Sequence, residues 1–591
     1  MRQYQQDDEK TATSHQEVVA VGSTEFNTTD QETISLSEFA DDKQAFKFDF
    51  NVLANVFSLC IVLMTSQWAN VATSSAIPFI AARFPAEAHL ASWIASTTSV
   101  VVAVTQAFIG DLSDIFGRRV FTICGCVCGF VGLLIGGRAH SLLMVIGGQV
   151  IGAFGISMGY LTSPLLQEIV PKAHRPTVVA ISSIVSSFGF IGAPIIEGVL
   201  IQKQVGGVLE GWRVGFYIGA ALWAIGGLGI FFFYRPMDRP NPEGLSVKKR
   251  VFKLDWIGIF LVATGLTLLL VGLSYGGNPY PWTSGYVLGP MITGIVLVTV
   301  FVAWEWKGTS TGILPHALFQ DRNFAIVMAV RVVGGFALIG SQAFLPQLLV
   351  YVFGTGGLMT AVWQLPFSIC AILGSLSAAL LLRYFKEARW ITFGLMSTLT
   401  LGAGLMLLVK PGVNFAVWFF PTVIMGLSVG CEGVVLGVIS GLVTPNELIA
   451  TAICTCGAAT FVGGSVAITI YGLVFNAKVK TYLPAFISDA AIANGLPATS
   501  ITPLLVAFTS GSPAALASVP SITPEVLTAV TEAARMAYAK SFSYIWYILI
   551  AWSVFSAFVA LFFTSTKKYF TDEVAAPVKE RHQRAETEKS I

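Results

Sequence analysis

The sequence predicts an all-α polytopic membrane protein, and three observations support this fold class. Apolar residues make up 54% of the 591 positions, only 12% are charged, and apolar runs long enough to cross a bilayer recur from residue 52 onward. Soluble globular proteins carry about 25% charged residues, so a soluble enzyme is not expected. The net charge of +2 predicts no basic surface for nucleic acid.

The first 50 residues form a polar segment that precedes any apolar run. They contain eleven Asp and Glu against four Lys and Arg, without the basic start and early apolar stretch of a signal peptide. We therefore expect residues 1–50 to be a disordered cytosolic tail. The glycosylation sequon Asn27-Thr28-Thr29 lies within it and should stay unmodified on that side of the membrane.

Fourteen apolar runs follow this tail, and each is long enough for a transmembrane helix. The predicted spans are 52–76, 90–110, 119–137, 142–165, 178–201, 214–234, 256–275, 286–304, 324–353, 358–382, 389–409, 414–441, 450–477 and 542–565. The lipid bilayer is therefore the expected surroundings of most of the chain.

Lysine and arginine residues in the short connecting loops predict the orientation of these spans. With the N-terminus inside the cell, the inner loops hold 15 of these residues and the outer loops hold five. Because loops rich in Lys and Arg stay on the cytosolic side of a membrane, both termini are predicted to be cytosolic.

The connection between the last two spans, residues 478–540, is too long for a plain connector. Thr523 can cap a helix and Pro524 suits the first helical position. Apolar residues at helical spacing then share one face of that helix: Val526, Val530 and Ala534.

A second short helix is predicted over residues 484–493, ending near Gly495. We expect the two helices to form a small lid on the outer side of the membrane. The alternative is a structured spacer that never contacts the substrate.

Eight cysteines are present, and all lie in apolar stretches. Cys124, Cys126 and Cys128 are close enough in sequence to raise the question of a metal site. Residues two apart on a helix point in different directions, however, and no histidine lies nearby. We interpret the cysteines as small packing residues and expect neither a metal site nor a disulfide framework.

The strongest local motif is the segment GDLSDIFGRR, which follows the second span. Two glycines allow a tight turn, Asp114 can face the positive end of another helix, and two arginines can hold it there. Such a cluster would be a latch that breaks when two halves of a transporter rock. Alternatively, the arginines only enforce orientation. The candidate gating residues are Gly110, Asp111, Asp114, Gly117, Arg118 and Arg119.

This segment resembles the signature loop of the major facilitator superfamily, G-x-L-x-D-x-x-G-R-[KR], with every fixed position matched. The resemblance covers about residues 50–566 and implies two six-helix bundles around a central cavity. The segment 254–258 resembles the entry to the two extra central helices of fourteen-span members. The implied units are two tails, two bundles and a linker that holds the extra helices: 1–50, 51–235, 236–322, 323–566 with the outer loop 478–540, and 567–591.

Span 5 resembles the antiporter motif G-x-x-x-G-P-x-x-G-G, with Ala193 and Glu197 in place of two glycines. Small residues let helices approach closely, and Pro194 bends the span. The antiporter-like residues are Gly189, Gly192, Pro194 and Gly198. In the second half, Arg383, Lys386 and Glu387 stand where a second latch would lie, without its glycines.

Five further segments resemble the fungal trichothecene efflux pumps, whose relatives include fungal siderophore–iron transporters. They are 325–351, 471–484, 495–497, 519–520 and 537–540. Both groups have fourteen spans and a long final outer loop, so the resemblance implies the same organisation here.

Two positions linked to proton coupling depart from the pattern of drug exporters. Residues 67–78 contain no acid and residues 147–152 contain no arginine. The ionisable residues that remain at depth are Glu197, Arg331 and Glu432, and each should face a cavity or a partner because charge in hydrocarbon is costly. Either glutamate could couple substrate release to proton entry. The alternatives are an ion pair of Arg331 with Glu432 and a Glu197 that lies in water.

Several polar and aromatic residues are candidates for the walls of the central cavity. The hydrogen-bonding candidates are Gln67, Asn70, Gln149, Gln342, Gln347 and Gln364. The candidates for contact with an apolar substrate are Trp68, Trp93, Trp223 and Trp363. For any one aromatic residue, packing against lipid is the alternative.

The resemblance implies a secondary active transporter that exports an apolar small molecule, such as a mycotoxin, a drug or another secondary metabolite. The alternative is a siderophore–iron importer of the same fold, and a non-transporting sensor would need a larger signalling domain than the two tails. No phosphate loop, nucleophile elbow or metal-ligand spacing is present. We therefore expect no enzyme activity and no cofactor, only the proton gradient as energy source.

The expected partners are the small-molecule substrate, protons and the lipid bilayer. We expect a monomer in the plasma membrane, with the vacuolar membrane as the alternative location.

Overall fold

The computed structural model consists of helices and short connections throughout the part of the chain that it describes. The described residues are 50–162, 165–166, 175–234, 252, 254–276, 280–309, 312, 314, 316–444, 448–510, 519–520 and 522–567. Only the backbone is described at 51–52, 107, 110–112, 114–116, 175–180, 183, 379, 449–450 and 509–510. The predicted tails and the basic connections 167–174 and 235–251 therefore lie outside the described residues.

Fifteen helices follow one another in the described residues, and we name them in chain order. They are α1 (Phe50–Arg83), α2 (Ser92–Phe116), α3 (Arg118–Gly137), α4 (Leu142–Tyr160), α5 (Arg175–Gln202), α6 (Gly211–Phe233), α7 (Trp256–Tyr275), α8 (Gly285–Ala303), α9 (Arg322–Phe353), α10 (Gly357–Phe385), α11 (Ala388–Leu405), α12 (Phe415–Leu442), α13 (Ile449–Ala493), α14 (Ile501–Ser510) and α15 (Pro524–Ala560). All except α14 are long and apolar enough to cross a membrane, which confirms the prediction of fourteen spans.

Close helix packing depends on glycines that bring two backbones together. Between α3 and α4, a Cβ added to Gly155 would lie 2.6 Å from the Gly129 nitrogen, and one added to Gly148 would lie 2.7 Å from the Gly132 oxygen. Between α10 and α12, a Cβ on Gly430 would overlap the Ala371 carbonyl. Small residues allow such contacts in membrane helices, where van der Waals packing drives association.

The two halves of the protein meet along two seams. In the first, α5 meets α10, where a Cβ on Gly198 would lie 2.5 Å from the Gly357 oxygen. In the second, α2 runs beside α13, and a Cβ on Gly457 would lie 2.9 Å from the Gln106 side-chain oxygen. The two extra helices, α7 and α8, pack against each other, and α7 also packs against the α2–α13 seam.

Beyond the spans, the last part of α13, the short helix α14 and the first part of α15 form a small domain. We call residues 479–538 the cap domain, and the side of the molecule that carries it the cap end. The side that carries Gly117 is the motif end. The cap domain has its own apolar core, to which all three helices contribute: Leu483, Ile487, Ala491, Leu504, Ala507, Val526, Val530, Ala534 and Ala537.

The start of α15 agrees with its prediction. The Thr523 hydroxyl accepts a hydrogen bond from the Val526 N–H, and Pro524 is the first helical residue. Val526, Val530 and Ala534 are buried in the cap domain core. One helix therefore extends from the cap domain through the predicted span 14.

The prediction of a separate short helix over 484–493 is wrong, because these residues are the end of the 45-residue helix α13. Pro484 lies inside that helix and removes one hydrogen bond. The buried face of Leu483, Ile487 and Ala491 supports the helix across this point. The predicted end is correct, since α13 stops at Ala493 and Gly495 has a φ of 86°.

Candidate functional site

The signature segment forms the turn between α2 and α3. Residues 110–116 are the last part of α2, and Gly117 separates the two helices with a φ of 87°, which favours glycine. The side chains of Gly110, Asp111 and Asp114 lie outside the described residues, as do residues 445–447 before α13. The contact of Asp114 with another helix therefore stays a prediction.

The second arginine of this segment, Arg119, binds the end of a neighbouring helix. Arg119 donates a hydrogen bond to the Phe231 carbonyl in the last turn of α6, and its guanidinium lies 5.8 Å from the Phe231 ring centroid. The Arg118 carbonyl accepts from Thr122 within α3. Because the last carbonyls of a helix lack partners within the helix, Arg119 stabilises the end of α6. This contact ties the signature turn to the first bundle.

The corresponding turn of the second half has a different chemistry. Lys386, between α10 and α11, has a φ of 51°, in the same left-handed region as Gly117. Glu387 accepts a hydrogen bond from Ser565 at 2.8 Å and lies 3.6 Å from the Lys567 ammonium. This turn is therefore bound to the segment after α15, also within its own bundle.

The antiporter-like residues lie on different faces of α5. A Cβ on Gly189 would overlap the Met64 carbonyl of α1, and Gly198 contacts α10 as described above. Pro194 lies inside the helix, and Gly192 has open space beside it. Two of the four residues thus bring α5 close to a helix in each bundle.

Glu197 is buried completely, between α5 and the start of α6. Its carboxylate packs against Gly215, where any side chain would overlap it. Neither carboxylate oxygen has a hydrogen-bond partner among the described residues. The Trp68 indole N–H donates to the Gly215 carbonyl at 3.3 Å. Glu197 therefore lies inside the first bundle, not in water as one alternative had it.

Glu432 of α12 is also buried, but it faces a charge. Its Oε2 atom lies 3.8 Å from Nη1 of Arg331 in α9, and a Cβ on Gly334 would lie 2.7 Å from that oxygen. The Glu432 Oε1 and the Arg331 Nε have no hydrogen-bond partner among the described residues. The ion pair that the sequence left open is thus present, in a geometry that leaves hydrogen-bonding capacity unused.

A polar layer joins three helices of the first bundle at Gln149. Its amide nitrogen donates to Thr73 of α1 at 3.4 Å, and its amide oxygen accepts from Thr98 of α2 at 3.2 Å. Eleven residues further along, at the last residue of α4, the Tyr160 hydroxyl donates to Gln67 of α1 at 3.4 Å. Gln149 and Gln67 were candidates from the sequence. The hydroxyl residues were missed, although Thr and Tyr in a span are a readable signal.

The Tyr160 ring also reaches the other bundle. Its centroid lies 5.8 Å from that of Phe461 in α13. An aromatic contact between halves, next to a glutamine, places apolar and hydrogen-bonding surface side by side. This is the arrangement that small-molecule sites use.

The remaining glutamine candidates are not gathered in one place. The side-chain amides of Gln347 and Gln364 each donate to a carbonyl four residues earlier in their own helix, at 2.8 and 3.1 Å. Asn70 and Gln342 are half-buried. Among the tryptophans, Trp68 and Trp223 are buried between helices, so packing against lipid does not apply to them.

The thiols and acids show no metal-binding arrangement. All eight cysteines are free, and no group of three potential metal ligands occurs among the residues whose placement is known. The expectation that the cysteines are packing residues agrees with Cys126, which is buried against Gly227 of α6.

Fourteen apolar helices, twelve of them in two bundles and two beside the seam, define a transporter of the major facilitator superfamily. A bacterial homologue of the human lysosomal transporter Spinster has this fold, with a TM-score of 0.58 at 15% identity over 87% of this chain and 98% of that chain. A D-xylose–proton symporter has a TM-score of 0.51 at 11% identity, over 72% and 90% of the two chains.

Within this superfamily, the chain belongs to the fungal trichothecene efflux pump family (TRI12), whose sequence profile matches residues 12–590. It is 25% identical to the trichothecene efflux pump TRI12 of Fusarium sporotrichioides, over 89% of this chain and 86% of that protein. It is 24% identical to MFS transporter L2 of Phoma sp., over 89% and 84% of the two chains.

Proposed function

We propose that the protein exports an apolar, oxygenated small molecule across the plasma membrane in exchange for protons. Membership of an efflux pump family supports the direction of transport. The trichothecene efflux pump of Fusarium sporotrichioides supports the substrate class, that of a fungal secondary metabolite. The observation that carries the coupling is the buried pair of Arg331 and Glu432.

The geometry of this pair supports proton exchange at Glu432. The 3.8 Å between Nη1 and Oε2 exceeds the usual 2.7–3.2 Å of a hydrogen bond, so protonation of the carboxylate breaks no strong bond. A protonated Glu432 would leave the Arg331 charge uncompensated at depth, which is costly. The Oε1 atom of the ionised Glu432, which has no hydrogen-bond partner among the described residues, could accept a hydrogen bond from a substrate hydroxyl. Protonation weakens that acceptor, so proton and substrate would compete for the same carboxylate.

The contact of Tyr160 between the halves supports the substrate class. Gln67 and Tyr160 supply an amide and a hydroxyl beside the Phe461 ring. A few hydrogen-bonding groups among apolar walls suit a molecule with scattered hydroxyl, carbonyl or ether oxygens. They do not suit a sugar, which needs a hydrogen bond at nearly every carbon.

The test is transport in proteoliposomes with a labelled trichothecene and an imposed pH gradient. We expect gradient-driven transport that a protonophore abolishes. Glu432→Gln, which keeps the shape, should abolish net transport but retain exchange of labelled for unlabelled substrate, since exchange needs no net proton movement. Glu532→Gln, at an exposed position in the cap domain, is the matched control.

Two outcomes would overturn the proposal. Glu432→Gln with normal gradient-driven transport would remove the coupling role of the pair. The second outcome concerns a yeast that lacks its own pumps and carries this protein. If it accumulates a ferric siderophore but does not expel the trichothecene, the function is siderophore–iron import and not export.

We propose that both termini are cytosolic and that the cap domain is extracellular. The 15-to-5 distribution of Lys and Arg between the two sets of loops supports this orientation. An epitope inserted after Gly495 should bind antibody on intact cells, and terminal tags should bind only after permeabilisation. Terminal tags that bind antibody on intact cells, with a Gly495 epitope that binds only after permeabilisation, would mean that the termini are extracellular and the cap domain is cytosolic.

We propose that Asp114 stabilises the outward-open state by facing the start of α13. A carboxylate near a helix start contributes roughly 0.3–1 kcal/mol when exposed and up to about 2 when partly buried. Asp114→Asn should then shift the population toward the inward-open state by a few-fold to about thirtyfold. The measurements are the surface abundance and the efflux rate of two variants. Normal efflux in Asp114→Asn, together with a lost surface abundance of Arg118→Ala/Arg119→Ala, would mean that the signature segment acts in membrane insertion alone.

A further inference from the structure

A cavity of about 390 Å³ lies at the cap end, away from the polar layer around Gln149. Three parts of the molecule line it: the start of α2 with the turn before it, the α7–α8 connection, and the middle of α13. Its volume falls within the range of about 300–1,000 Å³ that is typical of small-molecule sites.

The walls of this cavity are held in place before any ligand binds. At the α2–α13 seam, a Cβ on Gly472 would lie 3.3 Å from the Ser92 Cβ. In the α7–α8 connection, the Trp282 ring packs directly on Gly276. The rings of Tyr280 and Tyr286 stack with centroids 4.8 Å apart and fix this connection. A preformed site loses little entropy on binding.

The lining combines aromatic walls with hydrogen-bond donors. Trp93 and Trp282 supply the apolar surface, and His89, Asn476 and Lys480 supply donors. No Asp or Glu lines the cavity within the described part of the chain. A cavity with cationic and neutral donors, and without acids, favours a ligand with negative charge.

Lys480 differs from its neighbour Lys478, which is already engaged. The Lys478 ammonium lies 4.2 Å from the ring centroid of Tyr544 in α15, outside the cavity. Lys480 lines the cavity, is exposed, and has no ion-pair partner among the described residues. Its charge is therefore available to a ligand.

We propose that this cavity binds an aromatic or polycyclic small molecule that carries a carboxylate. The rings would lie against Trp93 and Trp282, and the carboxylate would accept hydrogen bonds from Lys480 and Asn476. The site is separate from the polar layer and does not depend on the function proposed above.

Such a ligand would act on transport because it touches both halves. His89 and Trp93 belong to the first half, and Asn476 and Lys480 to α13 of the second. A ligand that contacts both sides of a seam binds best when the seam is closed, and it shifts the equilibrium toward that state. The cavity would therefore be a site of inhibition from the cap end.

The test is direct binding of a fluorescent probe to the full-length protein in nanodiscs of neutral phospholipid. The probe is dansylglycine, a naphthalene ring system with a carboxylate, and its uncharged counterpart is dansylglycinamide. Lys480→Met should raise the Kd of dansylglycine about tenfold, in line with a hydrogen bond to a charged group, and leave the amide unchanged. Trp282→Ala should weaken both probes.

The matched control is Lys478→Met, which removes an equal charge two residues away. It should leave the Kd of both probes unchanged. Equal effects of Lys478→Met and Lys480→Met would overturn the proposal, as would full binding in Trp282→Ala. Displacement of the probe by an anionic phospholipid added to the nanodiscs would also overturn it, and would identify a lipid as the occupant. Thermal unfolding of each variant verifies that it is folded.

Discussion

Among the described residues, each half of the protein buries one glutamate, and the two have opposite surroundings. Glu197 in the first half is 0% exposed and Glu432 in the second is 2% exposed. Glu197 packs on the backbone of Gly215 without a hydrogen-bond partner in the described residues, whereas Glu432 faces the Arg331 guanidinium. Burial alone therefore does not define the role of an acid in a membrane bundle. The charged partner of the acid defines that role, because an acid can couple a proton to a second charge only where such a partner is present.

The first half has an arginine near the start of α6, and it contacts groups other than Glu197. Arg213 lies two residues before Gly215, and it binds Glu210 and the Gly137 carbonyl and stacks over Trp212. In the second half, Arg331 lies one turn before Gly334, and both residues contact the same carboxylate. Residues three apart share a face of a helix and residues two apart do not, so the spacing of arginine and glycine separates the unpaired glutamate from the paired one.

The largest expected effect comes from replacing the paired glutamate, Glu432, with methionine. Glu432→Met leaves the Arg331 charge buried without a partner, and breaking a buried pair costs about 3–5 kcal/mol. We expect a large loss of thermal stability in detergent and of surface abundance. The double variant Arg331→Met/Glu432→Met should recover stability but not transport. A double variant as unstable as the single one would contradict this account of the pair.

Glu197→Met should have the opposite effect on thermal stability. An unsatisfied buried polar group costs about 1–3 kcal/mol, and an apolar replacement removes that cost. Thermal unfolding should therefore shift to higher temperature, and a clear loss of stability would mean that Glu197 has a partner outside the described residues. Efflux measured on the same variant separates stability from coupling: lost efflux in a more stable protein would assign the proton site to Glu197.

Gly215→Ala tests the contact that holds Glu197. The added methyl group overlaps the carboxylate, and overpacking of a tight interior costs about 1–3 kcal/mol. The cost should disappear in the Glu197→Ala background, where the space is free. Equal destabilisation in both backgrounds would show that the methyl group meets the helix backbone instead. Gly192→Ala, with open space beside it, is the control within α5.

The sequence predicted the spans and offered the Arg331–Glu432 contact as one alternative, because both follow from simple rules. Apolar runs must cross the bilayer, and two opposite charges at depth within one half seek each other. The continuation of α13 beyond its span was not predictable from hydropathy. Lys478 and Lys480 end the apolar run, but they do not end the helix, which continues to Ala493 because the cap domain core buries one of its faces.

The surroundings of Glu197 were not readable from the sequence for a related reason. Glu197 lies five residues before the end of α5, where exposure to water and burial are both compatible with the pattern. Only the approach of α6, with a glycine at position 215, closes the space around it. Contacts between helices that have no complementary charge leave no signal in one sequence.

The smallest expected effect concerns Glu210, the acid that engages Arg213. Partial burial opposes its charged form, but hydrogen bonds and charges from Arg83 and Arg213 outweigh this, so the pKa of Glu210 lies below its usual value. A lowered pKa in the folded state means that the pair stabilises the protein at neutral pH and loses this effect as the pH falls through that pKa.

Because Glu210 lies near the surface, its contribution should be about 1 kcal/mol or less. Thermal unfolding of the native protein and of Glu210→Gln should therefore differ slightly at pH 7 and converge toward pH 3. A difference in unfolding temperature that grows as the pH falls would contradict this account, because a paired carboxylate loses its stabilising effect when it is protonated.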